Sequence, residues 1–448
     1  MKIFFVGIGG IAISAVARYY KALGHEVGGS DEEKSEITEE LKREGIKVFT
    51  GHKKTNLWVF SKKDSAKPDL DFIVFSEAVP LNNVELKTAR YFSIPFLSGA
   101  QAIAQLTKGY FLIAVSGMHG KSTTASMIAQ ILERNRLDPT FIIGTKPNFR
   151  LGKSQYFVLE ADDYQAKFLN YYPDVLVLTN IEKEHLDYFK NLRRIQGVFR
   201  RYLGQVKKAV IANADNMEIR KLLSHRNLFH SFQPQVILYS LRGKEGGEIK
   251  NILPLPGKHN ISNALAAFKT AQFLGLRKKN ILEALSQYQG IWRRLEERQI
   301  GPPFSAIVIS DYAHHPTEIQ ATCEALQEKY GGRKICLFFQ PHQYQRTFYL
   351  FSDFIKTFQE MSQKCFDKIF ITDVYSVKGR EDKSIKQKVN SSLLVKKIFS
   401  PKVQYIPKRK LLDYAQSLLG EMDVFVFMGA GDIHKFFQIF CKHQKEKR

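Results

Sequence analysis

The chain has 448 residues, a length that favours about three domains of ordinary size. Hydrophobic residues make up 44% of it, and 67 Lys and Arg against 44 Asp and Glu give a formal net charge of +23 at pH 7. This composition excludes disordered, fibrous and low-complexity proteins. The positive charge suggests nucleic acid, membrane surfaces or anionic metabolites as partners.

The first residues predict a nucleotide-binding strand, turn and helix. Residues 2–6 (KIFFV) form a short apolar run, and a G-x-G-x-x-A pattern follows at Gly7, Gly9 and Ala12 before a stretch with helical periodicity. A second predicted strand ends at Asp31, whose carboxylate is placed to accept from a ribose hydroxyl. Such a turn offers backbone N–H groups to a pyrophosphate. The pattern predicts a dinucleotide such as NAD or another nucleotide; the alternative is a turn that binds nothing.

A second phosphate-binding turn is predicted farther along the chain. The strand at 110–116 (YFLIAVS) runs into 117–122 (GMHGKS), and a helix follows, which is the order of a P-loop. The turn is shorter than the usual P-loop because Val115 stands where the first glycine would be. We expect its N–H groups to cradle phosphates, Lys121 to reach the outer phosphates and Ser122 to ligate Mg²⁺.

Two further predicted strands end in groups that a phosphate-bound metal would attract. Glu160, Asp162 and Asp163 follow one of them, and the other ends near His185. Because Mg²⁺ prefers oxygen ligands, Glu160 beside Ser122 suffices to hold one ion, with His185 near a second. Taken singly, these residues are more typical of solvated acids at loop ends and of a capping histidine.

A later predicted helix carries polar residues near its start, where such residues usually cap. They are His259, Asn260 and Asn263, and two arginines follow at positions 293 and 294. Composition alone leaves two roles open for these arginines: an ion pair with a nearby acid or contact with a phosphate.

A third alternation of strands and helices begins near residue 301. Ligands of such sheets bind at the carboxyl ends of the strands. The polar residues that fall there are Asp311, His314, His315, His342, Arg346 and 429–432. The three alternations predict an α/β protein of three domains: a Rossmann-like N-terminal domain (1–107), a central P-loop ATP-binding domain with a parallel sheet (108–298) and a Rossmann-like C-terminal domain (299–448).

The cysteines and the apolar segments indicate the cellular compartment of the protein. Four cysteines without C-x-x-C spacing signal neither a disulfide framework nor a zinc site. No apolar run approaches the roughly 20 residues that cross a bilayer. Residues 15–17 (AVA) imitate a signal-peptide cleavage site, but glycines interrupt the apolar stretch before them. We therefore expect a cytoplasmic protein without membrane insertion.

Nine motifs in chain order resemble those of the Mur ligase family. They are GIGG, GMHGKSTT, EADD, TNIEKEHLDYF, GKHNISNALAA, RRLE, DYAHHPTE, QPHQYQRT and MGAGDI. The resemblance runs from Gly7 to Ile433 and implies an ATP-dependent, ADP-forming amide ligase of peptidoglycan precursor synthesis. It further implies that L-alanine is joined to the lactyl carboxylate of UDP-N-acetylmuramate through an acyl phosphate.

The resemblance also assigns residues to each ligand. For ATP it implies Gly117, His119, Gly120, Lys121, Ser122, Thr123, His259, Asn260, Asn263, Arg294 and Asp311. For the UDP-sugar it implies Gly7, Gly9, Gly10, Ser30, Asp31, His52 and Ser76. For the amino acid it implies Tyr312, His314, Gln343 and Arg346, and for Mg²⁺ it implies Ser122, Glu160 and His185. The implied catalytic residues are Lys121, Glu160, His185, His314 and Arg346.

Four positions depart from the family pattern, and two of them, Met118 and Ser122, stand where threonine is usual. Gln343 stands where arginine is usual, and Glu184 stands where aspartate usually precedes the histidine. Loss of a guanidinium weakens bidentate recognition of a carboxylate, so glycine, serine or a recycled peptide remain alternative acceptors. A non-catalytic nucleotide-binding module is the alternative from a different class. We expect small-molecule substrates, no nucleic acid, and a monomer or homodimer.

Overall fold

The computed structural model describes residues 1–224, 233–302, 304–377 and 381–446. Within these residues the chain forms three β-sheets and divides into two compact units. The first unit comprises Met1–Glu182, Leu192–Ile252 and Ser262–Ser286, and the second comprises Lys183–Asn191, Leu253–Ile261 and Gln287–Arg448. Two sheets belong to the first unit and one to the second, and all three are mainly parallel, which confirms the predicted α/β class. The boundaries predicted after residues 107 and 298 stay predictions.

The first sheet has five parallel strands in the order β3-β2-β1-β4-β5. The strands are β1 (Lys2–Val6), β2 (Glu26–Asp31), β3 (Lys47–Thr50), β4 (Phe72–Phe75) and β5 (Phe96–Ser98). The helices are α1 (Ile11–Ala22), α2 (Glu36–Arg43), α3 (Val84–Tyr91) and α4 (Gly99–Leu106), with a 3₁₀ turn at Lys54–Trp58. The chain order reverses between β1 and β4, so a ligand crevice is expected at the carboxyl ends of these two strands.

The second sheet has seven strands in the order β12-β11-β10-β6-β9-β7-β8, and only the β7–β8 pair is antiparallel. The strands are β6 (Phe111–Ser116), β7 (Thr140–Ile142), β8 (Phe149–Arg150), β9 (Tyr156–Glu160), β10 (Val175–Leu178), β11 (Ala209–Asn213) and β12 (Gln235–Tyr239). Because β6 lies between β9 and β10, the turn after β6 adjoins the ends of both neighbours.

Helices of this part of the chain follow the strands in the usual alternation. They are α5 (Lys121–Arg134), α6 (Leu186–Phe189), α7 (Leu192–Leu203), α8 (Met217–Leu223), α9 (Lys244–Ile252), α10 (Lys258–Phe273) and α11 (Lys278–Ser286), with a 3₁₀ segment at Tyr164–Asn170. The helix α6 belongs to the second unit, and α10 has its first residues there.

The third sheet has six strands in the order β13-β14-β18-β15-β16-β17, with β13 antiparallel at the edge. The strands are β13 (Glu296–Ile300), β14 (Ala306–Asp311), β15 (Ile335–Phe339), β16 (Lys368–Ile371), β17 (Val403–Tyr405) and β18 (Val424–Met428). The helices are α12 (Pro316–Tyr330), α13 (Tyr344–Tyr349), α14 (Phe351–Lys364), α15 (Lys383–Lys386), α16 (Ser391–Ile398), α17 (Leu411–Ser417) and α18 (Ile433–Glu446), with a 3₁₀ turn at Lys408–Lys410.

The sequence of β15 (ICLFF) shows why this sheet carries continuous apolar runs. Ile335, Leu337 and Phe339 pack into the core on one face, and Cys336 and Phe338 pack into the core on the other. A strand covered by helices on both faces has no polar side, so its residues cannot alternate in polarity. Among the described helices, none has both the length and the apolar character needed to span a bilayer.

Candidate active site

The turn after β1 is held by the end of β2. The N–H groups of Gly7 and Ile8 donate to the Ser30 carbonyl oxygen at 2.8 and 3.0 Å. The Gly9 N–H donates to Asp31 Oδ2 at 2.8 Å, and a Cβ on Gly9 would lie 2.9 Å from that oxygen. The acid that the sequence pattern assigned to a ribose therefore also fixes the glycine turn.

The other residues predicted for the UDP-sugar lie around this turn. Ser76 follows β4 and donates its N–H to the Val6 carbonyl oxygen at 2.9 Å, while Gly10 donates to Gly7 at 3.3 Å. His52 follows β3, and its Nδ1 lies 3.0 Å from Ser30 Oγ. The structure thus brings the predicted set together at one edge of the first sheet, and its role in ligand binding stays a prediction.

A buried glutamate that the sequence analysis missed lies behind this edge. Glu85, in the first turn of α3, is 0% exposed. Its Oε2 accepts from Ser30 Oγ at 2.6 Å and lies 2.9 Å from His52 Nδ1, and its Oε1 accepts from Asn56 Nδ2 at 2.7 Å. The only sequence signal for Glu85 was an acid in the first turn of a helix, which is ordinarily a surface feature.

The turn after β6 requires glycine at two positions. Gly117 and Gly120 have φ of 134° and 79°, a region that favours glycine. A Cβ on Gly117 would overlap the Thr179 side chain, and one on Gly120 would overlap Asn263. Asn180 clamps the turn, because its Oδ1 accepts from the His119 N–H at 2.9 Å and its carbonyl oxygen accepts from the Met118 N–H at 3.2 Å.

The Lys121 ammonium lies across this turn. Its Nζ donates to the carbonyl oxygens of Gly117 and Met118 at 2.7 and 3.0 Å and to Asp163 Oδ1 at 2.7 Å. Burial alone would lower the pKa of Lys121, but the carboxylates of Asp163 and Glu160 outweigh it and raise the pKa. The ammonium is therefore charged at neutral pH, as a group that binds phosphate must be.

Glu160 and Ser122 lie together beside this lysine, as the sequence predicted. Glu160 Oε2 accepts from the Gly144 N–H at 2.6 Å. Burial raises the pKa of Glu160, whereas Lys121 and the Ser122 hydroxyl oppose the shift. A carboxylate and a hydroxyl are hard oxygen donors, so this pair fits the ligand preference of Mg²⁺. The assignment of a metal to these residues and to His185, which lies in the second unit, stays a prediction.

Arg346 of α13 is fully engaged within the second unit. Its Nε and Nη2 lie 3.0 and 2.9 Å from Glu184 Oε1, and its Nη1 donates to His342 Nδ1 at 2.9 Å. Arg346 and Glu184 are 9% and 4% exposed. Burial alone would raise the pKa of Glu184, but the guanidinium of Arg346 and the nearby histidines hold it well below its usual range. The guanidinium predicted to bind the amino acid thus already pairs with a carboxylate.

His185 and Gln343 line a small cavity with Arg346, and both have unusual backbones. The φ of His185 is 52° and that of Gln343 is 70°. The Gln343 N–H donates to the Tyr375 carbonyl oxygen at 2.8 Å. Positive φ at residues other than glycine costs about 1–3 kcal/mol and often marks functional sites.

His314 lies next to Tyr312 on the loop after β14. Its Nδ1 is 3.0 Å from the Tyr312 carbonyl oxygen and 3.2 Å from Glu318 Oε2. Burial lowers the pKa of His314 to about 3, although Glu318 opposes the shift. The imidazole is therefore uncharged at neutral pH, with its Nδ1 proton directed to these acceptors and its Nε2 lone pair available.

Asp311, at the end of β14, accepts hydrogen bonds from nearby backbone N–H groups through both carboxylate oxygens. Its Oδ2 accepts from the Leu295 N–H and its Oδ1 from the Ala313 N–H, both at 2.9 Å. Arg294, also predicted for ATP, donates to Glu318 Oε1 at 3.3 Å and lies over the Tyr312 ring. These contacts join the RRLE and DYAHHPTE motifs within the second unit.

The residues predicted at the start of α10 fall in different units. His259 and Asn260 belong to the second unit, and Asn263 belongs to the first, beside Gly120. Asn260 Nδ2 donates to the Pro256 carbonyl oxygen at 2.7 Å, which is not a cap, because a capping side chain accepts from backbone N–H groups. Burial lowers the pKa of His259 to about 4.

Besides Glu85, two site residues were assigned no role from the sequence: Asn180 and Glu184. Asp163 was noted only as one of the acids that a metal would attract, and the structure pairs it with Lys121 instead. All three follow a buried strand of the second sheet, Asp163 within the EADD motif and the other two within TNIEKEHLDYF. Polar residues at the ends of adjacent parallel strands are the signal that identifies such positions. Their partners could not be chosen from that signal, because the partner of Glu184 is 162 residues away.

Comparison with protein families covers nearly the whole chain. Residues 2–111 match the model of the Mur ligase family, catalytic domain, residues 115–271 match the Mur ligase middle domain, and residues 293–431 match the Mur ligase, glutamate ligase domain.

Curated relatives and solved structures agree with this match. UDP-N-acetylmuramate–L-alanine ligase of Acetivibrio thermocellus is 36% identical, over 99% of this chain and 96% of the relative. The Aquifex aeolicus protein of the same name is 34% identical, over 98% of this chain and 97% of the relative. The crystal structure of UDP-N-acetylmuramate-alanine ligase from Thermotoga maritima is similar with a TM-score of 0.77 at 26% identity, over 100% of both chains.

A murein peptide ligase from Psychrobacter arcticus shares the fold, with a TM-score of 0.71 at 22% identity over 99% of this chain and 98% of that one. The ordered motifs, the three sheets and the end-to-end identity to these relatives lead to one conclusion. The chain belongs to the Mur ligase family.

Proposed function

We propose that this protein is an ATP-dependent, ADP-forming ligase that joins L-alanine to the lactyl carboxylate of UDP-N-acetylmuramate in peptidoglycan precursor synthesis. The observation that carries the proposal is the charged Lys121 ammonium at the phosphate-type turn, beside Glu160 and Ser122. The end-to-end identity to relatives named for this activity supports the choice of substrates.

The chemistry requires two displacements. An oxygen of the lactyl carboxylate attacks the γ-phosphorus of ATP, and the bond to the β–γ bridging oxygen breaks to release ADP. The amino nitrogen of the acceptor then attacks the acyl carbon of the resulting acyl phosphate. Inorganic phosphate leaves with the carboxylate oxygen, and the nitrogen releases one proton to the departing phosphate or to water. In the first step, the Lys121 ammonium offsets the repulsion between the carboxylate and the phosphate, which are both anions. Glu160 and Ser122 would hold Mg²⁺, which when bound neutralises further phosphate charge.

His314 and Tyr312 are proposed for the amino-acid end. The acceptor must present a neutral amine to the acyl carbon, and an uncharged His314 does not repel its ammonium precursor. A pKa of about 3 makes His314 a weak base, so we assign it to binding the amino group through Nε2 and not to removing its proton.

The amino-acid end also supports a second candidate, a ligase of this type with another acceptor. Arg346 already pairs with Glu184 and His342, and Gln343 supplies no charge beside it. An α-carboxylate would have to share or displace the Glu184 contact. Glycine, serine or a recycled peptide therefore belong in any test of specificity.

We further propose ATP with Mg²⁺ as the nucleotide form used, small molecules and not nucleic acid as partners, a monomer or homodimer as the assembly, and the cytoplasm as the compartment. The domain boundaries after residues 107 and 298 are proposed from the three alternations of strands and helices in the sequence. The proposed reaction needs only soluble substrates, which supports the choice of partners and compartment.

The experiment is release of ADP and phosphate by the purified protein with MgATP, UDP-N-acetylmuramate and one amino acid at a time. Release that requires both the UDP-sugar and L-alanine is the expected result. Release with another acceptor would keep the mechanism and change the specificity. No release with any acceptor, from protein that still binds both nucleotides, would support a non-catalytic nucleotide-binding module.

A further inference from the structure

The Glu85 carboxylate is buried without a permanent cation. Its contacts are the Ser30 hydroxyl, the Asn56 amide, the Lys53 backbone N–H and His52 Nδ1. In the part of the chain that the structure describes, His52 is the one basic side chain within ion-pair distance of this carboxylate. A buried carboxylate is costly unless it is paired, so Glu85 favours a positive charge on His52.

The geometry also fixes the protons of the imidazole. An ionised carboxylate only accepts hydrogen bonds, so His52 Nδ1 carries its proton toward Glu85 Oε2 at 2.9 Å. The His52 side chain is 18% exposed, and Nε2 has no hydrogen-bond partner among the described residues. The second ring nitrogen is therefore available to a ligand.

Most of the groups around His52 raise the pKa of its imidazole. The hydrogen bond to Glu85 raises the pKa of His52, burial opposes this, and the carboxylates of Glu85, Asp31 and Glu32 raise it further. Glu85 faces His52 from α3, Asp31 and Glu32 face it from the end of β2, and Lys53 follows it in the chain. Without a proton on His52, the titratable side chains that act on it, Glu85, Asp31 and Glu32, are all acids that would repel an anionic ligand.

The network adjoins the first glycine turn through Ser30. The Ser30 hydroxyl donates to Glu85, and the Ser30 carbonyl oxygen accepts from Gly7 and Ile8. Residues 7–10 contain neither lysine nor arginine, so this turn has no counterpart of Lys121 within it. Backbone N–H groups bind one or two phosphates better when a cation lies close by.

We propose that Glu85 is a positioning residue that holds His52 as an imidazolium, with Nε2–H presented to the diphosphate of a bound nucleoside diphosphate. The inference rests on the proposed function, because it takes this edge as the UDP end of the substrate. It adds a residue, a protonation state and a pH dependence to that proposal. Binding of the nucleoside diphosphate is expected to weaken as pH rises through the elevated pKa of His52.

The test is calorimetric titration with UDP between about pH 6 and pH 9, on the wild-type protein, Glu85→Gln and His52→Gln. In the wild type, UDP affinity should fall as His52 loses its proton. In Glu85→Gln the fall should move to lower pH, and UDP should bind roughly 10-fold more weakly at pH 7.5, since a hydrogen bond from a charged donor is lost. His52→Gln should bind weakly with no such pH dependence. Glu33→Gln, an exposed change of the same charge nearby, should match the wild type.

A second measurement keeps the test valid if Glu85→Gln does not fold. An NMR titration of the wild-type histidines, with His52→Gln used to assign the signal, should place the His52 transition above the ordinary histidine range. A transition at or below that range would overturn the inference.

The outcomes separate this inference from the proposed function. UDP binding with the same pH profile in wild type and Glu85→Gln would overturn the role of Glu85 and leave the function standing. No UDP binding by folded wild-type protein at any pH would overturn both.

Discussion

The first two sheets each carry a glycine-rich turn between a buried strand and a helix, yet opposite charges stabilise the two turns. In the first turn, a carboxylate accepts the backbone hydrogen bond, since the Gly9 N–H donates to Asp31. In the second turn, an ammonium group donates to backbone carbonyl oxygens, since Lys121 Nζ donates to those of Gly117 and Met118. The same local pattern therefore supports two electrostatically different sites.

The difference bears on which nucleotide each turn suits. The second turn has a fixed ammonium and a hard-oxygen pair, Glu160 and Ser122, which suit a triphosphate whose terminal phosphate is transferred. The first turn lies beside acids and beside His52, the histidine that we propose to be protonated, and this arrangement suits a less charged diphosphate that is bound and not cleaved. Chemistry is expected at one turn and recognition at the other.

The largest expected effect comes from Lys121→Ala. Removing the ammonium should lower ATP turnover by about 1,000-fold, because the transferring phosphoryl group loses a positioned cation. UDP-sugar binding should be unchanged, as measured by calorimetry beside steady-state ADP release. Lys108→Ala, at an exposed lysine near the same strand, is the matched control and should retain turnover. Loss of UDP-sugar binding in the folded Lys121→Ala variant would contradict the claim that the two turns bind their nucleotides separately.

Gly120→Ala should break the second turn in a different way. Its φ of 79° disfavours alanine, and the new Cβ would overlap Asn263. We expect roughly 100-fold lower turnover, because a misplaced phosphate turn loses transition-state alignment. A loss of about 1–3 kcal/mol in the free energy of unfolding should accompany it.

The control for this substitution is Gly197→Ala on α7, where a Cβ meets nothing within 4 Å. Alanine there should raise the free energy of unfolding by up to about 1 kcal/mol without changing turnover. Full ATP turnover by Gly120→Ala would show that the second turn does not position the nucleotide.

Gly9→Ala should give the smallest effect of the three and should be confined to the first turn. The new Cβ would lie 2.9 Å from Asp31 Oδ2 and 3.0 Å from Thr38 Cγ2, so the turn must shift. The KM for the UDP-sugar should rise about 10-fold, which corresponds to the loss of one or two hydrogen bonds. The kcat and the KM for ATP should stay near the wild-type values. A lower kcat at saturating UDP-sugar would show that the first turn takes part in the chemistry.

Sequence reasoning was most successful where the signal was local. The strands β1 and β6 are largely apolar runs followed by glycine, β2 ends at Asp31, and the helices α1 and α5 begin where the turns predict. The pairing of Glu160 with Ser122 followed from parallel strands whose ends share an edge. These features depend on neighbouring residues and on the rules of parallel sheets.

The contacts that set charge could not be predicted in the same way. Glu85 meets Ser30 and His52 across separations of 55 and 33 residues, and Arg346 meets Glu184 across 162 residues. Nothing in the local pattern distinguishes a buried glutamate with a histidine partner from a solvated acid in the first turn of a helix. Only tertiary packing decides between these two environments.

The central claim, activation of a carboxylate by phosphorylation, is tested most directly with oxygen-18. The substrate is UDP-N-acetylmuramate with ¹⁸O at both oxygens of the lactyl carboxylate, and mass spectrometry of the released phosphate is the measurement. With MgATP and L-alanine, one labelled oxygen should appear in each phosphate, because the carboxylate oxygen that attacks phosphorus leaves with it. Unlabelled phosphate, released at the same rate as amide, would contradict an acyl phosphate and with it this account of the site.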